Sequence, residues 1–231
     1  MGKYYFDNGI GTSLELELRF LSYPEIERGY EETVLKTVPG RKGTVTIHTG
    51  TYSDTTILCH LHLTKEAEYL EQAYLRAKSW LKDTKTLVFS DNPSMFYRVK
   101  KVEVGKQNKV YGRFGTFDVT FTCDPGEYIV EGKKEYKISE IAFNPYSECS
   151  PIYKITGNGS CVLKVNGQQI KADVTKELTI DTELEIAYSD KGTKNTAVSG
   201  NYENIHLMSG DNAISITKGF DLKIIPNWRI L

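Results

Sequence analysis

The 231-residue sequence has little of what most enzymes and membrane proteins require. It contains only four histidines, and it shows no Gly-x-Ser-x-Gly elbow, no phosphate-binding P-loop motif and no His-Glu-x-x-His zinc motif. No stretch approaches the roughly 18 apolar residues that a membrane-spanning helix needs. The N-terminal segment lacks the apolar core of a secretory signal, so we expect synthesis in a cytoplasm. The absences predict a protein with no catalytic step and no membrane insertion.

Charge and cysteine content exclude two further classes. Lysine and arginine number 29 against 30 aspartates and glutamates, whereas proteins that neutralise DNA phosphates usually carry a basic surplus. We therefore expect no sequence-specific nucleic-acid binding. Four widely spaced cysteines are too few for a disulfide scaffold, and we interpret them as mostly buried thiols, with a bridge between Cys149 and Cys161 left open.

Alternating apolar and polar residues predict a mainly β protein, because successive side chains of a strand point to opposite faces. The alternation predicts strands over 14–20, 116–123 and 178–186, with further strands around Val45 and Ile47 and over 57–63. Asn166-Gly167 lies between two apolar stretches, which predicts a hairpin with a tight turn.

One segment instead has helical spacing. Between Lys65 and about Lys82, apolar or small residues recur three and four positions apart, which predicts one amphipathic helix; they are Ala67, Leu70, Tyr74, Ala77 and Leu81. Thr64 is the predicted N-cap, and Glu66 and Glu68 favour the positive end of the helix dipole.

A change in composition predicts two domains. Prolines, glycines and a charged stretch are concentrated between Asp124 and Pro151. We place a first domain at residues 1–132 and a second at 133–220. The second has short strands, turn clusters and no helical pattern, which is typical of a β-sandwich.

Candidate site residues are few. His60 and His62 share one face of a predicted strand, with His48 in a neighbouring strand, and two imidazoles are the beginning of a zinc site. Without a third ligand nearby, we interpret them as polar-face residues and expect no cofactor. Asp181 and Glu183, with Glu185, match either the carboxylates of a glycoside hydrolase or the solvated face of a strand, and the strand is the simpler interpretation.

Several segments, in their order and spacing, resemble the distal tail protein family of long-tailed, non-contractile phages and prophages of Gram-positive hosts. The resemblance covers nearly the whole chain, and its N-terminal segments are Val38–Gly43, Gly50–Tyr52, Ser79–Leu81, Leu87–Asp91, Phe96–Val99 and Gly115–Pro125. Its C-terminal segments are Asn144-Pro145, Ser150–Ile155, Gly210–Ile214 and Pro226–Arg229, where Asn227 and Trp228 depart from the family pattern.

The resemblance implies a structural virion protein that forms a hexameric ring between the tail tube and the tail tip. A barrel-like or sandwich N-terminal domain would form the ring, a galectin-like β-sandwich would project from it, and residues 221–231 would return to the first domain. Implied partners are identical subunits, the tail tube protein, the tail-associated fibre or lysin protein, and receptor-binding or baseplate proteins. The implied location is the virion tail tip, after assembly in the host cytoplasm.

An alternative function uses the aromatic residues, which include 15 tyrosines. Exposed aromatic side chains on a β-sandwich stack on sugar rings, so a lectin-like module for host cell-wall sugars is the alternative. The second domain has about 85 residues, which leaves no room for the inserted sugar-binding module of some relatives.

Overall fold

A computed structural model describes residues 4–65, 67–110, 113–140 and 143–231. Within these residues the chain is mainly β with one α-helix, which confirms the predicted fold class. The chain divides into two compact units, one comprising the residues up to Glu127 together with Leu231, and one comprising Tyr128–Ile230. Each unit has its own buried apolar core.

The first unit contains ten strands and the helix among its described residues. They are β1 (Phe6–Asp7), β2 (Arg19–Phe20), β3 (Glu25–Glu27), β4 (Glu31–Thr37), β5 (Thr44–Tyr52), β6 (Thr55–Thr64), α1 (Ala67–Lys82), β7 (Thr86–Phe89), β8 (Met95–Val104), β9 (Asn108–Val110) and β10 (Phe114–Cys123). The antiparallel main sheet has the order β1-β7-β8-β10-β6-β2, with β3 also on β6 and β9 also on β10.

The core of this unit lies between the sheet and the helix. Strand β10 buries every second residue, including Phe117, Val119 and Phe121, as its alternation predicts. Four of the predicted stripe residues of α1 are buried in the same core: Leu70, Tyr74, Ala77 and Leu81. Glu66 and the side chains of Ala67 and Glu68 lie outside the described residues. At 16 residues with mixed polarity, α1 is too short and too polar to cross a bilayer.

The strand predicted over 14–20 is wrong. Only Arg19–Phe20 is paired as a strand, and turns occupy 13–17. The Glu17 N–H donates to the Leu14 carbonyl at 3.0 Å, and Leu18 donates to Ser13 at 2.9 Å. Glu17 has φ 57°, which takes the backbone out of the extended region. The leucines still face inward and the glutamates outward, so a turn has produced the polarity pattern of a strand.

The second unit contains mostly short strands around one long hairpin. Strand β11 (Glu127–Ile129) leads into it, followed by β12 (Tyr136–Lys137), β13 (Phe143–Asn144), β14 (Ile152–Val165), β15 (Gln168–Asp181), β16 (Ile186–Ser189), β17 (Gly192–Thr193), β18 (Val198–Ser199), β19 (Gly210–Asp211), β20 (Ile214–Ile216), β21 (Asp221–Ile225) and β22 (Arg229–Ile230). The main sheet has the order β12-β21-β14-β15-β16-β17, with β18 on β15 and β20 on β14, while β13 pairs with β19.

The long hairpin confirms the turn predicted at Asn166-Gly167. Asn166 has φ 51° and Gly167 has φ 83°, as this tight turn requires, and Val165 pairs with Gln168 across it.

Buried Tyr153 on β14 donates its hydroxyl to the Ile205 carbonyl at 2.6 Å. The two strands of the hairpin therefore supply many of the buried residues of the second core.

The C-terminal segment lies mostly in the second unit. Strand β21 pairs with β12 and β14, and the Ile129 N–H donates to the Trp228 carbonyl at 2.9 Å. We expected the segment 221–231 to return to the first domain. Leu231 groups with the first unit, whereas residues 221–230 belong to the second. The units divide at Glu127, against the boundary of 132 predicted from composition.

Candidate functional site

The histidines singled out by the sequence lie on the solvent-facing side of β6. His60 and His62 are both partly exposed, between the buried residues of the same strand. The His60 Nδ1 lies 2.7 Å from the Asp118 carboxylate on β10, and its Nε2 lies 3.6 Å from Glu25 on β3. Both ring nitrogens of His60 therefore face carboxylates from the two flanking strands, a pairing that the sequence reasoning missed.

The two imidazoles have different surroundings. His62 packs on the Phe114 ring at 4.8 Å between centroids, and burial together with the nearby Arg19 lowers its pKa. The prediction that His48 lies in a strand next to that of His60 and His62 is wrong, because its strand β5 pairs with β4 in a separate two-stranded sheet. Among the described residues, no group of three or more histidine, cysteine, aspartate or glutamate side chains is arranged so that it could hold a metal ion.

His60 gives a testable pH dependence. The Asp118 hydrogen bond raises the pKa of His60 above its ordinary value of about 6.5. The folded state therefore binds the proton more tightly than the unfolded state, so the stabilisation is complete below about pH 6.5 and is lost as pH rises through the folded pKa. We expect the free energy of unfolding of wild type minus that of His60→Gln to be largest near pH 6 and to shrink by about pH 8.

Urea unfolding, followed by Trp80 fluorescence in a Trp228→Phe background, measures this difference in the first unit. Asp118→Asn is the matched control, since it removes the principal partner and should flatten the pH dependence. A difference between wild type and His60→Gln that stays constant from pH 6 to pH 8 would contradict the assignment.

The carboxylates predicted to share one strand face do not do so. Strand β15 ends at Asp181, and the chain turns at 182–185. Asp181 is buried, and its Oδ1 accepts hydrogen bonds from the N–H groups of Glu183 and Leu184, both at 3.0 Å. Asp181 thus caps a turn, so the interpretation of these acids as the solvated face of a strand is wrong.

The four cysteines are free and buried. Cys149 and Cys161, whose bridge was left open by the sequence, are therefore both thiols. Burial is the main cause that raises the pKa of Cys149 to about 12, and it also raises the pKa of Cys161. Thiols that stay protonated at neutral pH are poor nucleophiles, which suits residues of an apolar core.

The most unusual surface of the molecule is a hairpin arm, defined here as β4, β5 and the turn between them. Strand β4 pairs only with β5, and neither pairs with any other strand of the described chain. Nearly every residue from Glu32 to Thr51 is exposed. A lone two-stranded ribbon is marginally stable in water, so the arm is a surface that a partner would stabilise.

The two faces of the arm differ in polarity. Val34 opposes Ile47, and Lys36 opposes Val45, so three aliphatic side chains share one face. Val34 is 53% exposed and Ile47 is 44% exposed. The opposite face is rich in threonine, with Leu35 as its large apolar residue. Apolar residues exposed together on one face are typical of an interaction surface.

The polar contacts of the arm lie at its base. His48 Nδ1 is 2.8 Å from a Glu31 carboxylate oxygen, and the Thr51 hydroxyl donates to Glu32 at 3.1 Å. The register shifts between Glu31 and Thr33, and Gly50 has φ 75°, which together form an irregularity of the bulge type. Val45 and Ile47 predict the β5 strand, but no local pattern indicates that the ribbon stays unpaired with the other described strands.

The second unit has a cleft of about 280 Å³ between β14, β15 and β18. Its lining includes Ser160, Lys171, Asp173 and Thr196, and no aromatic residue. Trp228 instead packs against Tyr136 and Tyr146. The cleft thus offers no ring on which a sugar would stack, and the lectin-like alternative stays a prediction.

Comparison with known proteins gives a likeness in structure and none in family or curated sequence. No family model and no curated protein matches the sequence. Among solved structures, the chain is similar to the SPP1 Dit (gp 19.1) protein, described as a paradigm of the hub adsorption apparatus in phages that infect Gram-positive bacteria. The TM-score is 0.63 at 16% sequence identity, over 96% of this chain and 98% of that one. The likeness shows that the two chains share a fold.

Proposed function

We propose that this chain is a structural subunit of a bacteriophage tail, which assembles as a homo-hexameric ring at the distal end of the tail tube. The fold that it shares with the SPP1 Dit protein over almost the full length of both chains supports a tail role. The observation that carries the assembly is the hairpin arm, whose aliphatic face has no cover among the described residues of its own chain.

The arm suits a ring for a geometric reason. In a head-to-tail contact, one surface of a subunit meets a different surface of the next, and the series closes when the rotation between neighbours closes. An extended arm reaches a neighbour without requiring a change in the packed core behind it. Covering Val34 and Ile47 removes apolar area from water, at about 25 cal/mol per Å².

The charge of the chain suits a conduit for DNA. Each chain has a formal net charge of −1, so six copies carry −6. A strongly basic ring would hold DNA by phosphate contacts, whereas a weakly acidic one lets it pass. The proposed partners are the tail tube protein on one side and, on the other, the fibre or lysin protein and the receptor-binding or baseplate proteins. The ring acts by joining them, with no catalytic step.

The particle's symmetry tests this function. We expect size-exclusion chromatography with light scattering to show a species of about 157 kDa, six times the 26.2 kDa of one chain, and negative-stain images to show a six-fold ring with a central hole. A species of one-chain mass at every concentration, with the tail tube protein present as well as absent, would overturn the proposal.

A further inference from the structure

The first unit contains a small cavity of about 140 Å³ whose lining includes three aromatic rings. The rings of Tyr4 and Phe89 are nearly parallel, with centroids 6.1 Å apart, and Tyr97 meets Phe89 edge-on at 6.2 Å. Ile26 and Met95 complete the apolar part of the wall. The rings thus come from two segments, Tyr4 and the stretch Phe89–Tyr97, and Ile26 comes from a third.

Carboxylates lie among these rings. The Glu127 Oε1 accepts hydrogen bonds from the Tyr97 hydroxyl at 2.7 Å and from Arg28 Nε and Nη2 at 3.1 and 2.8 Å. The guanidinium of Arg28 therefore compensates Glu127. Asp91 also lines the cavity, next to the hydroxyl of Tyr4. Burial, and then the charge of Asp91, raise the pKa of Tyr4. The Tyr4 hydroxyl is therefore neutral and does not compensate the charge of Asp91.

The lining therefore has a net negative formal charge. Its charged residues are Asp91, Glu127 and Arg28, which sum to a formal charge of −1. Aromatic faces attract cations through the ring quadrupole, and the Asp91 carboxylate beside them attracts cations by charge. A carboxylate and three rings around one space therefore select a positively charged guest and disfavour an anion.

The volume limits the size of the guest. Drug-sized ligands occupy pockets of roughly 300–1,000 Å³, and this cavity is less than half of the smallest of those. At roughly 30 Å³ for each water-sized group, it has room for about five heavy atoms. A straight four-carbon chain with a terminal ammonium has that size, and it matches apolar walls at Ile26 and Met95 beside the carboxylate of Asp91.

We propose that this cavity binds the ammonium end of a linear alkylamine, the chemistry shared by a lysine side chain of a partner polypeptide and a small free amine. The site lies within the first unit, so it does not depend on ring assembly. None of its residues was singled out by the sequence as a ligand.

Methionine-methyl NMR of the full chain tests the proposal. The chain has three methionines: Met95 lines the cavity, and Met208, 49% exposed in the second unit, is an internal reference. We expect n-butylammonium to shift the Met95 methyl signal saturably and to leave Met208 unmoved. The neutral alcohol 1-butanol, which has the same number of heavy atoms, should bind at least about tenfold more weakly because it lacks the charge.

A matched pair of variants assigns the charge. Asp91→Asn should weaken n-butylammonium binding by about tenfold or more, and Asp83→Asn, an exposed carboxylate outside the cavity lining, should leave it unchanged. Thermal unfolding followed by Trp80 fluorescence in a Trp228→Phe background, which reports on the first unit, shows that the variants are folded. The comparison of ammonium with alcohol uses wild type, so it holds even if Asp91→Asn does not fold.

A capped Gly-Lys-Gly tripeptide distinguishes the two sources. Binding of the tripeptide together with n-butylammonium identifies a side-chain site, and binding of n-butylammonium alone identifies a site for free amines. The proposal is overturned if n-butylammonium leaves Met95 unshifted at about 50 mM, well above a millimolar dissociation constant. It is also overturned if 1-butanol shifts Met95 at the same concentrations as the ammonium.

Discussion

Ile47→Glu is expected to abolish ring assembly while leaving the monomer folded. Ile47 lies on the aliphatic face of the hairpin arm, opposite Val34. A carboxylate at this position would have to be buried without a partner when a neighbouring subunit covers the face, and that costs several kcal/mol in practice. Six interfaces carry the cost at once, so the six-fold species should disappear. The monomer should tolerate the change, because the side chain is 44% exposed.

Light scattering across a range of concentrations measures this loss, and the thermal midpoint shows whether the fold persists. Thr46→Glu is the matched control, since it adds the same charge next to Ile47 but on the threonine-rich face of the arm. We expect Thr46→Glu to assemble much as wild type does. If Ile47→Glu forms the same six-fold species at wild-type concentrations, the aliphatic face of the arm is not the assembly surface.

Phe6→Ala is expected to produce the largest loss of stability in the first unit, about 3–5 kcal/mol. Phe6 is fully buried on β1. The centroid of its ring lies 5.7 Å from that of Phe20, 5.7 Å from that of Trp80 on the helix and 6.0 Å from that of Phe121 in the sheet. Removing it therefore leaves a cavity at the point where strand, helix and sheet meet, and these elements cannot all move to fill it.

The tryptophans allow each unit to be followed separately. Trp80 belongs to the first unit and Trp228 to the second, so urea unfolding by Trp80 fluorescence in a Trp228→Phe background reports the loss. Tyr69→Ala, on the exposed side of α1 at 53% exposure, should change stability by no more than about 0.5 kcal/mol. Equal losses for Phe6→Ala and Tyr69→Ala would show that the ring cluster around Phe6 does not hold the unit together.

The elements that were predicted correctly depend on local rules. The helix follows from spacing that places Leu70, Tyr74 and Leu81 on one face, and the long hairpin follows from the backbone freedom of Asn166 and Gly167. Strand β10 follows from strict alternation over the eight residues 116–123. The helix and the hairpin make their hydrogen bonds within the segment that the pattern spans. Strand β10 pairs with β6 and β8, so its own alternation determines which face is buried and not which strands it pairs with.

The wrong strand predictions fall on segments in which apolar and polar residues alternate although the backbone forms turns. Leu14, Leu16 and Leu18 face inward from a series of turns, and the turn after Asp181 is held by that side chain's own hydrogen bonds. Alternation specifies which side chains are buried. It does not specify the backbone conformation that buries them, and a turn can satisfy the same pattern when local hydrogen bonds compete with a sheet.

The sequence by itself determined the fold class, the helix, the long hairpin and the lack of a recognisable catalytic motif, because these depend on residue type and short-range spacing. Only the tertiary structure decided the rest. Among the described residues it left the hairpin arm without a covering strand, placed His60 between Asp118 and Glu25, and brought the ring of Tyr4 to those of Phe89 and Tyr97 near Asp91. These features depend on which strands become neighbours, and strand pairing over long separations is set by the packing of the whole core rather than by any one segment.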